Sequence, residues 1–69
     1  MRSKFSQTQI DNLNVKLAEA VINFEVLSAP RKLNWILDAM NALEDTGSFE
    51  VRGFFSTTRN PITISVSQL

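Results

Sequence analysis

The chain is predicted to be an α+β domain of two helices followed by a β-hairpin, an α-α-β-β order assembled as an intertwined homodimer. Three observations predict it. Between Ile10 and Leu43 apolar residues recur every three or four positions, the repeat of a helix face. From Phe49 onward they alternate with polar ones, the repeat of a strand. Finally, each helix carries a second apolar row that one neighbouring element cannot cover, which calls for a second subunit.

A short basic lead, residues 1–5 with Arg2 and Lys4, precedes a first helix expected over residues 6–27. Ser6 with Gln9 three positions later is a capping-box pattern, in which side chain and backbone satisfy each other's free donors. Ile10, Leu13, Leu17, Val21 and Phe24 then share one face and are the expected core contribution. Val15, Ile22 and Val26 lie off that stripe and are expected at the dimer interface.

The second helix is expected over residues 29–46. Ser28 followed by Pro30 marks its start, because the N–H that proline lacks would have no helical partner there. Leu33, Ile36, Leu37, Met40 and Leu43 make its main face; Trp35, Ala39 and Ala42 make a second face, expected at the dimer seam. Gly47 ends the helix by accepting the left-handed backbone of a C-cap, and Glu44 with Asp45 oppose the negative helix end.

The hairpin is expected over residues 48–67. Phe49, Val51 and Phe55 alternate with Glu50 and Arg52 around Gly53, while Ile62, Ile64 and Val66 alternate with Thr63, Ser65 and Ser67. The stretch Thr57-Thr58-Arg59-Asn60-Pro61 is rich in turn formers and joins the two strands. Residues 1–69 make a single domain, with no internal repeat or linker.

Size and composition bear on function. A 69-residue chain buries only about 60% of the surface its unfolded form exposes. Below roughly 70–80 residues, one core supplies no more than about 3–5 kcal/mol without a staple or a partner. With no Cys and no His, neither a disulfide nor an ordinary zinc site is available, which leaves self-association. The same absence removes the commonest general base and the most reactive nucleophile. Only two glycines are present, and no phosphate-cradling loop is found. We therefore expect no enzyme, cofactor, metal or small-molecule substrate. The formal net charge is zero, which announces neither nucleic acid nor an anionic membrane. No apolar run approaches the roughly 20 residues of a membrane span, and no export signal is evident, so a cytoplasmic protein is expected.

Candidate contact residues follow from residue type and place. Arg31 and Lys32 in the first turn of the second helix oppose the helix dipole and suit an acidic partner or phosphate. Trp35 beside Ala39 and Ala42 offers a flat surface to another helix, and aromatic residues are enriched at buried interface centres. Phe54, out of phase with Phe49, Val51 and Phe55, points away from the core and suits a partner anchor. Arg52 and Arg59 place positive charge on the hairpin and its tip.

The run Gly47-Ser48-Phe49-Glu50-Val51-Arg52-Gly53-Phe54 resembles the segment after the second helix in the histone-like HU and integration-host-factor family. Leu27-Ser28 and Leu37-Asp38-Ala39 fall roughly at that family's second-helix start and middle, and Arg59-Asn60-Pro61 resembles the tip of its DNA-binding arm. The resemblance covers about residues 27–66; the long basic arm and the third helix are missing, and Phe55 stands at a family glycine. It implies a dimer in which Pro61 wedges between base steps of a bent minor groove, with Arg59 at phosphate or groove and Arg52, Asn60, Arg31 and Lys32 nearby. Without the arm's lysines, however, the counterion-release contribution that dominates DNA affinity is small. The leading expectation is therefore a small homodimeric regulator or inhibitor, of the kind mobile elements encode, that binds another protein; the alternative is a small HU-like dimer that binds duplex DNA.

Overall fold

Ser6 starts the first helix as its sequence predicts: its hydroxyl accepts from the Gln9 backbone N–H at 3.2 Å, and the Gln9 side chain accepts from the Ser6 N–H at 2.9 Å. The computed structural model describes residues 5–69. Arg2 and Lys4 of the basic lead lie outside the described residues. The elements are α1 (Gln7–Ala20), α2 (Ala29–Thr46), β1 (Ser48–Val51) and β2 (Ile62–Ser65), so the α-α-β-β order is the observed one.

The first helix ends at Ala20, about two turns short of the 6–27 its periodicity predicts. Val21 is extended instead, and it bridges Ser56 in the chain between the strands. The Ile22 N–H donates to the Phe55 carbonyl at 2.8 Å and the Thr57 N–H to the Ala20 carbonyl at 3.0 Å. Consecutive β-branched residues at 21 and 22 favour this exit, since they pack as well in a strand as in a helix. Asn23 then takes a left-handed turn, φ 59°, a conformation Asn tolerates better than most residues. Phe24–Val26 form a single tight turn that leads to α2.

The second helix has the predicted bounds. Pro30 sits in its first turn, and Gly47 closes it at φ 82° with its N–H donating to the Leu43 carbonyl at 3.0 Å. The two strands are antiparallel, pairing Ser48 with Ser65, Phe49 with Ile64, Glu50 with Thr63 and Val51 with Ile62. They are shorter than the predicted hairpin. After Val51 the chain turns at Gly53, φ 69°, into a helical turn over Gly53–Phe55 that carries Phe55 out of the strand phase its sequence suggests. Val66–Gln68 likewise curl into a turn rather than continuing the strand.

The core joins Leu13, Leu17, Ala20, Val21 and Phe24 to Ala39 and Leu43 of α2 and to Val51 and Ile64 of the sheet. The apolar stripe predicted on the first helix is thus core from Leu13 to Phe24, although Ile10 is only half-buried outside it and the last two members sit beyond the helix end. On α2 the core draws on both faces: Leu43 of the expected main face is buried and Ile36 and Met40 pack against the core. Ala39, expected at a dimer seam, is fully buried in its own subunit, whereas Leu33 and Leu37 of the expected main face are about half exposed. The sheet decides this by packing on the Trp35–Ala39 side of the helix, where alanine lets it approach closely. Near the chain's last residue, the Asn12 side-chain amide donates to the Leu69 carbonyl at 2.8 Å. Among the described residues, no helix is long and apolar enough to cross a membrane.

Candidate functional site

The displaced turn at Gly53 builds a groove. Phe54 and Phe55, brought out of the sheet by that turn, face the first half of α2 across an open depression of ≈ 390 Å³. Val21, Ile22 and Leu27 form its apolar floor and end, and Arg31, Asn34, Trp35 and Asp38 line its α2 wall. These α2 positions recur at three- and four-residue spacing, so they share one helix face.

Three aromatic contacts hold the wall in place. The Trp35 ring meets Phe49 edge to face at 6.2 Å and Phe55 edge to face at 5.5 Å, and Phe54 stacks on Phe55 at 5.4 Å with 18° between the planes. Both edge-to-face pairs have the geometry that ring quadrupoles favour. Phe55 is thereby packed on one side and open on the other, while Phe54 is 82% exposed. Fully burying such a side chain on binding is worth about 1.5–3 kcal/mol.

The dimer residues expected from sequence do not form one surface. Ile22 lines the groove and is partly exposed. Val15 is 56% exposed on the polar outer side of α1, flanked one turn away by Asp11 and Glu19, and Val26 is 81% exposed on the turn after Asn23. Their common row existed only while residues 6–27 were one helix. Ala39 is buried and so presents nothing to a partner; Trp35 and Ala42 are half-buried at the edge of α2.

The charged candidates divide into two places. Arg31 enters the groove beside Trp35, and Lys32, one position on, is half-buried outside it. Arg52 is exposed and ion-paired with Glu50 two positions earlier. Arg59, Asn60 and Pro61 are exposed at the tip of the connection between the strands and do not line the groove. That tip is braced from within, because the Asn60 carbonyl accepts from the buried Ser56 hydroxyl at 3.2 Å and from the Thr58 hydroxyl at 2.6 Å.

Sequence reasoning missed Phe55, Leu27, Asn34 and Asp38 as members of the site. The Arg31, Asn34/Trp35, Asp38 spacing is visible in the sequence, but Phe55 becomes part of the wall only because Gly53 breaks the strand. No family model, no curated protein and no solved structure matches this chain.

Proposed function

We propose that this is a small, self-associating, non-enzymatic protein-interaction module of the cytoplasm, a regulator or inhibitor that works by occupying the surface of another protein. One observation carries this reading: Phe54 is 82% exposed and stacked on Phe55 at the rim of an apolar groove. A phenylalanine stacked on a second aromatic ring gives up less rotamer freedom on binding than an unsupported one. The exposed Leu33 and Leu37 of α2 add an apolar stripe one turn apart. A neutral chain with these groups suits an apolar protein surface better than a polyanion.

The experiment is capture of partners from host lysate by the wild type and by Phe54→Asp, each with and without nuclease. A protein retained by the wild type, insensitive to nuclease and lost with Phe54→Asp is the expected result. Identical capture by both proteins overturns the reading.

A second reading, a DNA-binding dimer, draws on the exposed Arg59-Asn60-Pro61 tip. It ranks below the first because Arg52 is already paired with Glu50 and the net charge is zero. Its test is a duplex gel shift at low ionic strength that falls steeply as salt rises.

A further inference from the structure

We infer that the α2 wall of the groove is the seam on which two copies of this chain pair, antiparallel, with Arg31 of each copy against Asp38 of the other. The inference rests on the proposed self-association and specifies its geometry. Arg31 and Asp38 face the same groove seven residues apart on one helix. At about 1.5 Å of rise per residue their Cα atoms are roughly 10 Å apart along the axis, two turns apart on the helix. Neither has an ion-pair partner among the described residues, where the one pair found is Arg52 with Glu50.

A face bearing one positive and one negative end is complementary to itself when turned end for end, which is the requirement of a two-fold, isologous contact. The rest of the face obeys the same symmetry. Within α2, Arg31 and Asp38, and Asn34 and Trp35, are each placed evenly about the point between residues 34 and 35. A two-fold axis at that point sets Trp35, half-buried at the edge of this face, beside Asn34 of the second copy. Phe54 stays at the rim, free for another protein. The apolar groups supply the affinity of such a seam; the two charge pairs fix its register, since rim charges govern specificity more than strength.

The test is the mass in solution, by light scattering after size exclusion from micromolar to millimolar protein, of the wild type, Arg31→Asp, Asp38→Arg and the double swap Arg31→Asp/Asp38→Arg. The 7.8 kDa chain is expected to reach twice that mass. Each single swap places like charges opposite each other at both ends and weakens the dimer by about tenfold or more. The double swap restores it, and mixing the two single variants gives a heterodimer preferred over either homodimer. Both positions are exposed, and circular dichroism confirms that each variant is folded. A wild type that stays monomeric, or single swaps that dimerise as well as the wild type, overturns the pairing. If Phe54-dependent capture of a protein persists in that case, only the pairing fails; if the charge rescue holds while capture is absent, the pairing stands without the wider reading.

Discussion

Thr57 closes the exposed end of α1 at Ala20: its backbone N–H donates to the Ala20 carbonyl at 3.0 Å, and its hydroxyl donates to the neighbouring Glu19 carbonyl at 3.0 Å. Two carbonyls that a helix end leaves without partners are thus satisfied from a loop 37 residues further along the chain. The contact also holds the Phe54–Phe55 turn against Ile22, so the end of the first helix and the shape of the groove depend on the same hydrogen bonds. Thr57→Val keeps the backbone bond and loses the hydroxyl. It should cost about 0.5–1.5 kcal/mol and lower the melting temperature by roughly 4–8 °C per kcal/mol in a domain of this size, measured by thermal denaturation.

Leu17 has no exposed surface and lies at the centre of the core. Leu17→Ala is expected to cost about 2–5 kcal/mol, comparable with the whole stability of a chain this short. Urea titration followed by circular dichroism should find it largely unfolded without denaturant, and a cooperative transition near that of the wild type would contradict the packing described.

Gly47 and its surroundings separate backbone strain from crowding. A Cβ there would meet nothing within 4 Å, but φ is 82°. Gly47→Ala should therefore destabilise by about 1–2 kcal/mol through the left-handed backbone alone, and Gly47→Asn by less, because Asn tolerates that region. Equal losses for the two variants would point to a steric cause instead.

Trp35 is the one tryptophan of the chain, which makes the aromatic wall observable. Phe55→Ala removes the ring that covers its edge at 5.5 Å. Its fluorescence should shift to longer wavelength as water reaches the indole, with a loss of roughly 0.5–1.5 kcal/mol from the ring pair beyond the area lost. Phe54→Asp, by contrast, should leave both stability and Trp35 emission close to the wild type, since Phe54 is 82% exposed and its ring stacks on Phe55, not on Trp35.

Local features were legible in the residues: the capping box at Ser6, the proline start and glycine stop of α2, the strand alternation at Phe49–Val51 and Ile62–Ile64, and the core stripe from Leu13 to Phe24. Each depends on interactions within a few positions or on a simple period, and such signals survive whatever the rest of the chain does. What escaped was set by long-range pairing. Helical periodicity continues smoothly through Val21 and Ile22, and the backbone of residues 55–57, lying alongside, draws that β-branched stretch out of the helix and separates Val15 from Ile22 and Val26.

The sequence by itself determined the order of elements, because turn formers, caps and periods act locally. Tertiary structure alone decided which members of the two apolar α2 faces are core, since the choice falls to whichever side the sheet can approach, here the side with Ala39 and Leu43, and Leu33 and Leu37 are left exposed. It likewise decided that Phe54, Phe55 and Trp35 share a groove: Trp35 lies 19 and 20 positions before the two phenylalanines and meets them only after the hairpin has packed, and no local pattern records that distance.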